Sequence, residues 1–318
     1  MPVQKVMLIA PRGFCAGVDR AIKVVEECLE LFGKPVYVKH QIVHNKYVVD
    51  ALEKKGAITI EAINEIPDNA VVVFSAHGSP PEQYEQAKHK NLKLIDATCP
   101  LVTKVHFEVH RFAKQGYKII YIGHHGHVEG IGVLGELPND IPLVETIQDV
   151  QNLNIENPEK LIYLTQTTLS IDDTKKIVLA LKQKYPQIRD PPKEDICYAT
   201  TNRQHAIKQL AQKVDLVLVV GSTNSSNSIR LVETAKTKKP AYLVDDVNQI
   251  QEDWLENIQT VGISAGASAP ESLVQEIAHY FTTKGATKEE LTLMQEDVTF
   301  IDPVELRRAK TNATQEKH

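Results

Sequence analysis

Short β-branched runs alternate with helix-period stretches from one end of this 318-residue chain to the other. That alternation restricts the fold to mainly parallel sheets whose strands are joined by crossover helices. The strand runs are "VMLIA" (6–10), "PVYVKH" (35–40), "VVVFSAH" (71–77), "LKLIDAT" (92–98), "KIIYIGH" (118–124), "LIYLTQT" (161–167), "LVLVVGS" (216–222) and "TVGISAG" (260–266). Between them, Val18, Ile22, Val25, Leu29 and Phe32 recur at spacings of three and four, which predicts a helix over 16–32 ended by Gly33. Pro100 opens a second helix that stops before Gly116, and the T-x-x-Q spacing of Thr201 and Gln204 predicts the start of a third.

Most of these strands run into polar loops of small residues: "HQIVHN", "SAHGSP", "GHHGHVEG", "TQTTLS", "GSTNSSNS" and "SAGASAP". Ligands of parallel sheets bind beyond the carboxyl ends of the strands, so these loops are where a site belongs. Cys15, Cys99 and Cys197 each stand just ahead of a helix, and they are separated by 84 and 98 residues. The resulting expectation is an α/β fold of three similar lobes, each a mainly parallel sheet flanked by helices, facing a shared centre. The expected boundaries are 14–99, 100–195, and 1–13 together with 196–318, the last including a C-terminal extension.

A net charge of −5 argues against nucleic acid or an anionic membrane as the main partner. No stretch approaches the roughly 20 apolar residues of a membrane span, and the start of the chain reads as neither signal nor transit peptide. Cytoplasmic location is the expectation. Four scattered cysteines are too few for a disulfide framework, so metal binding, reactivity or packing must explain them.

Cys28 lies on the apolar stripe of the first helix and reads as a small core hydrophobe. The other three sit where a helix N-terminus favours the thiolate, the nucleophilic and metal-binding form. No C-x-x-C pair exists, which suits a site assembled from distant segments. Three thiolates leave one position of a zinc ion, or one iron of a cubane cluster, open to substrate. Spacing alone does not separate zinc from [4Fe–4S].

His44, His77, His124, His125 and His127 fall in strand-end loops beside "SSN" and "GASAP". Imidazolium, hydroxyl and helix-start amide groups all donate hydrogen bonds to phosphate, so the set reads as an anion pocket. Glu129 is either a solvated loop acid or a proton donor in that pocket. The G-x-G-x-x-G match in "GIGVLG" follows a His/Glu loop and is discounted as a dinucleotide fingerprint. His106 and His110, four apart in "HFEVH", read as a solvated helix face.

The motifs "PRGFCAGVDRAI", "VHNKYVVD", "FSAHGS", "DATCPLVTKVH", "GHHGH", "TQTTLSIDDT", "CYATTNRQ", "GSTNSSNS" and "AGASAP", in order from Val6 to Leu306, resemble the 4-hydroxy-3-methylbut-2-enyl diphosphate reductase family. The resemblance implies a trefoil of three α/β lobes around a central cleft. There, one [4Fe–4S] cluster has three cysteine ligands, matching Cys15, Cys99 and Cys197, and one open iron. It implies diphosphate binding by His44, His77 and His127, by Ser225, Ser226, Asn227 and Ser268, and by Thr168. Glu129 matches the proton donor and Thr167 its assistant.

The implied reaction is a two-electron reductive dehydroxylation in the methylerythritol phosphate route, yielding isopentenyl and dimethylallyl diphosphate. With no nicotinamide fingerprint, the donor is expected to be ferredoxin or flavodoxin, and the enzyme a monomer. A zinc-dependent hydrolase of a phosphorylated metabolite and a non-enzymatic iron–sulfur redox sensor are the competing readings. One departure stands out: the family form after the third histidine is H-P-E, whereas this chain has "HVEGIG", without the proline that would stiffen the loop.

Overall fold

The computed structural model describes residues 3–156 and 159–315. Along the chain, β1 (Lys5–Ala10) is followed by α1 (Ala16–Phe32), β2 (Val36–Lys39), α2 (Lys46–Lys55), β3 (Ala57–Ile60), β4 (Val71–Phe74), α3 (Pro81–His89), β5 (Lys93–Asp96) and α4 (Pro100–Lys114). Then come β6 (Lys118–Ile122), α5 (Val128–Leu134), β7 (Leu143–Val144), α6 (Ile147–Asn152), β8 (Leu161–Thr165) and α7 (Ile171–Lys184). The remainder is α8 (Tyr198–Leu210), β9 (Leu216–Val220), α9 (Ser226–Lys236), β10 (Ala241–Val244), β11 (Thr260–Ala265), α10 (Glu271–Thr283), β12 (Thr287–Thr292) and α11 (Val304–Gln315).

The strands form three sheets of order β10-β9-β11-β1-β12, β3-β2-β4-β5 and β7-β6-β8. All pairings between these strands are parallel. The α/β class read from the alternating pattern is the fold observed.

The backbone divides into two compact units. One comprises the chain up to Ala16, His44–Val48 and Tyr198–Thr299, and holds the five-stranded sheet. Its inner strands β1, β9 and β11 are apolar on both faces because helices cover both. Val6, Leu8, Leu218 and Ile263 pack on one side with Leu273, Val274, Ile277 and Phe281 of α10. Met7, Ile9, Val217 and Val219 pack on the other with Ile207 and Leu210 of α8 and Leu231 of α9. The strand ends come close to α9: a Cβ on Gly221 or Gly266 would lie 2.3 or 2.0 Å from Ser228 Oγ.

The second unit comprises Gly17–Val43, Val49–Cys197 and the chain from Phe300 onward, and holds the other two sheets. Period-two alternation divides the β6 and β8 side chains between two cores. Ile120, Ile122 and Tyr163 face Ile177 and Leu181 of α7, while Ile119, Tyr121, Ile162 and Leu164 face Val105, Val109 and Phe112 of α4. Cys28 is fully buried in α1, and burial pushes its thiol up to about 12, as a packing residue requires.

Each strand read from sequence exists, ending two to three residues short of most predicted ends because the polar tails turn into loops. Four strands lie outside the predicted runs: β3, β7, β10 and β12. The edge strand β12 is "TKEELT", whose charges blunt the exposed edge and whose Glu289 pairs with Lys5 at 2.8 Å. The third helix begins at Tyr198, so Thr201 and Gln204 lie inside its first two turns rather than at its cap.

Candidate active site

The three cysteines outside the core share one local construction. Each is partly exposed and directly precedes a helix: Cys15 before α1, Cys99 as the N-cap of α4, and Cys197 before α8. Each donates its backbone N–H to a strand-end loop: Cys15 to Ala267 O at 3.2 Å, Cys99 to Ala76 O at 3.0 Å, and Cys197 to Thr167 O at 3.0 Å. The acceptors immediately precede, or are, residues singled out from sequence: Ser268, His77 and Thr167. A backbone bond therefore ties every cysteine turn to a loop with polar site residues.

Ionic side chains hold these turns. The guanidinium of Arg203, wholly buried on α8, donates to Gly13 O at 2.7 and 3.1 Å, to Phe14 O at 3.4 Å and to Ala199 O at 3.0 Å. It also pairs with Glu296 at 3.0 Å. Tyr198, also on α8, accepts from the Ala16 amide at 3.2 Å. Gly13, at φ +66°, makes the turn that presents those carbonyls.

Arg20 does the same for the second cysteine, donating to Ala97 O and Thr98 O at 3.2 and 3.1 Å. Before Cys197, the buried Asp195 carboxylate accepts from Thr165 N at 2.8 Å and Lys104 Nζ at 2.6 Å. Arg203→Met strands the Glu296 charge and the Gly13 and Phe14 carbonyls. It is expected to cost about 3–5 kcal/mol, read as a lowered urea midpoint.

Soft sulfur donors at helix starts, with the backbone already fixed, are each suited to iron–sulfur or zinc. By donor type, each of Cys15, Cys99 and Cys197 suits such a group.

Glu129 sits in the first turn of α5, wholly buried. Its carboxylate accepts from Thr167 N at 2.7 Å and from Thr167 Oγ1 at 2.9 Å. Burial raises its pKa to about 7, outweighing the two Thr167 hydrogen bonds that lower it, and Asp195 adds to the rise. This burial excludes the solvated-acid reading, and a carboxyl near neutrality is able to hold or give up a proton. His127 caps the same helix, its Nδ1 accepting from Glu129 N at 3.2 Å. Burial above all, then His124 and His40, lowers its pKa to about 4, so it is neutral at pH 7. With Nδ1 an acceptor, the proton of the neutral ring is on Nε2.

The helix N-terminus expected from "GSTNSSNS" is α9, with Ser225 as its cap accepting from Ser228 N at 3.3 Å. Ser226 and Asn227 are buried in its first turn. Both side-chain amide atoms of Asn227 are shielded from solvent and have no hydrogen-bond partner among the described residues. Two orphaned amide atoms are costly to bury, and a ligand would satisfy them. In the same unit, Ser268 Oγ donates to His44 O at 2.9 Å.

His77 accepts or donates at Nδ1 with Ser75 Oγ, 3.2 Å away. Thr168 Oγ1 accepts from Gln166 Nε2 at 2.9 Å, and Gln166 Oε1 in turn accepts from His124 N at 3.0 Å. The structure thus brings together Glu129, Thr167 and His127 in one unit, and His44 with Ser268 in the other. His124 and His125 are engaged elsewhere, both by Glu145.

Two residues were missed by sequence. His106 is not on a solvated face: its Nδ1 lies 2.5 Å from Glu136 Oε1, and His110 Nε2 lies 2.5 Å from Oε2. Cβ atoms on Gly78 and Gly132 would lie 2.8 and 3.2 Å from the His106 ring. His106 thereby wedges the loop after His77 against α5, and with His110 it clamps Glu136 just beyond that helix. This holds a short, proline-free, glycine-containing helix in place. Arg203 was the other, invisible because its partners are distant in sequence.

A family model described as LytB protein matches residues 6–282. The Streptomyces avermitilis 4-hydroxy-3-methylbut-2-enyl diphosphate reductase is 53% identical over 308 residues, covering 96% of this chain and 91% of that protein. The protein of the same name from Mannheimia succiniciproducens is 53% identical over 308 residues, covering 95% and 98%. The solved E-1-hydroxy-2-methyl-but-2-enyl-4-diphosphate reductase from Plasmodium falciparum superposes with a TM-score of 0.95 at 43% identity, covering 100% of both chains.

Proposed function

The chain belongs to the LytB family, and from that premise we propose that it reductively dehydroxylates (E)-4-hydroxy-3-methylbut-2-enyl diphosphate, the last step of the methylerythritol phosphate route to isoprenoids. The C4–O bond breaks, two electrons and two protons enter, and water leaves, giving isopentenyl or dimethylallyl diphosphate. The observation that supports this most is the buried Glu129 carboxyl, held by Thr167 and raised to about 7.

The cofactor is an iron–sulfur group, which we assign as one [4Fe–4S] cluster on Cys15, Cys99 and Cys197, one iron having no protein ligand. When bound, it supplies single electrons and a Lewis-acidic iron for the substrate oxygen. The chain's own residues do the rest. His44, His77 and His127, the hydroxyls of Thr168, Ser225, Ser226 and Ser268, and the Asn227 amide hold the diphosphate. Neutral His127 donates from Nε2, and the α9 N-terminus adds its amide donors.

Protonated Glu129 delivers a proton toward the reacting carbons and leaving oxygen, and Thr167 fixes the carboxyl's orientation. Burial keeps water from competing for these donors. We assign three lobes at 14–99, 100–195, and 1–13 with 196–318, a ferredoxin- or flavodoxin-type donor, a cytoplasmic location and a monomer. No helix among the described residues is long and apolar enough to cross a membrane.

The test is anaerobic turnover of the reconstituted protein with a one-electron dye reductant. Both C5 diphosphates are expected as products. Release of inorganic phosphate or diphosphate without reductant consumption would contradict the assignment.

A further inference from the structure

The C-terminal segment takes no part in the reaction described so far, yet it is tied to one of the cysteine turns. Arg20 of α1 donates from Nε to Ile301 O at 2.7 Å, and from Nη1 to Ala97 O and Thr98 O at 3.2 and 3.1 Å. A single guanidinium therefore joins the backbone at Ile301 to the two residues ahead of Cys99.

The surface there is apolar at its centre. Ile301 is 75% exposed, more than any other large hydrophobic side chain among the described residues, and Val304 is 44% exposed. In α11, Leu306 is turned fully inward, while Val304, Arg307, Arg308 and Thr311, spaced at three and four, face solvent. Exposed aliphatic side chains with arginines beside them are the composition of a docking surface.

The charge of this face opposes that of the chain. α11 carries Arg307, Arg308 and Lys310 against one acid, Glu305, in a chain of net charge −5. Lys310 is neutralised by Glu27 at 2.7 Å and Asp302 at 2.8 Å. Arg307 and Arg308 are exposed and have no ion pair among the described residues. Beside the helix, a groove of about 490 Å³ is lined by Phe32, Leu94 and Ile95, with Lys93 and Arg308 next to them. Leu94 and Ile95 belong to β5, the edge strand that leads directly into the Cys99 turn.

Resting on the donor class assigned above, we propose that this face, Ile301 and Val304 with Arg307 and Arg308 beside them, is where a small acidic one-electron carrier protein docks. Two encounters, each delivering one electron and releasing the oxidised carrier, supply the two electrons the reaction consumes. Encounters of this kind use small interfaces, and complementary charge steers the approach. A carrier seated here lies against the segment that holds Cys99.

The test is calorimetric titration of the anaerobically purified holoprotein with an acidic ferredoxin and, separately, an acidic flavodoxin. Turnover is measured in parallel with each carrier and with a one-electron dye. Arg307→Glu combined with Arg308→Glu is the informative variant, because neither side chain is buried or paired. At low salt it is expected to weaken carrier binding about tenfold or more and to raise the KM for the carrier in parallel. The difference is expected to shrink as salt rises, while iron content and dye-driven turnover stay at parental levels. Ile301→Ser, which keeps the carbonyl bonded by Arg20, is expected to weaken binding several-fold at every salt concentration. Lys236→Glu combined with Lys238→Glu makes the same change in net charge elsewhere, and is expected to leave binding near the parental value.

Carrier binding by the arginine variant equal to the parent's, or an equal loss in the lysine variant, would overturn the docking face and leave the donor class standing. A parent protein that turns over with the dye but neither binds nor accepts electrons from either carrier would overturn both.

Discussion

Glu129→Gln is expected to lower turnover by about 10²–10⁴-fold while iron and acid-labile sulfide stay at parental levels. The carboxyl is wholly buried and bonded at both oxygens to Thr167, so the substitution removes a proton and little else. The pH profile carries the same information. With its pKa raised to about 7, Glu129 is protonated below that value, so the parent's rate falls as pH rises past it. Thr167→Val deletes one of the bonds that stabilise the carboxylate, so the falling limb moves to higher pH.

Stability gives an independent readout. A carboxyl that binds its proton more tightly folded than unfolded contributes stability that is intact below its ordinary pKa and lost as pH rises through 7. Glutamine has no such loss. The stability of Glu129→Gln relative to the parent is therefore expected to improve by about 2–3 kcal/mol between pH 5 and pH 8, measured by chemical denaturation. Unchanged turnover, or a stability gap that ignores pH, would remove Glu129 from the proton-donor role.

The second large effect is at the cysteines. Cys15→Ser, Cys99→Ser and Cys197→Ser are each expected to lose most of the bound iron and the visible absorbance of the anaerobic protein, with activity falling to background. Cys28→Ala is expected to stay fully loaded and lose only packing. Its thiol is buried and pushed up to about 12, whereas the other three are partly exposed at helix starts with their amides already bonded. A Cys28 variant without iron, or a serine variant with a full complement, would contradict this division.

The fold was legible wherever burial on both faces forced an unbroken β-branched run, as in "LVLVV" of β9. It was illegible where tertiary position replaced composition. β12 is a strand because β1 offers it an edge, and its charged sequence serves that edge position. β7 is two residues long, below any pattern.

At the site, the order of cysteines and the polar strand-end loops could be read directly, because helix starts and loop chemistry are local. The burial of Glu129 could not, since its environment is made by Thr167, 38 residues away, and only the family resemblance singled it out. Nor could the Glu136 clamp: the spacing of His106 and His110 was visible, but the carboxylate between them lies beyond another helix.

Whether one iron of the cluster is reserved for substrate is read by Mössbauer spectroscopy of the anaerobic, iron-57-loaded protein. The account predicts four irons per chain, one with distinct parameters that change when substrate is added. Four equivalent irons indifferent to substrate, or a colourless protein containing zinc, would contradict it.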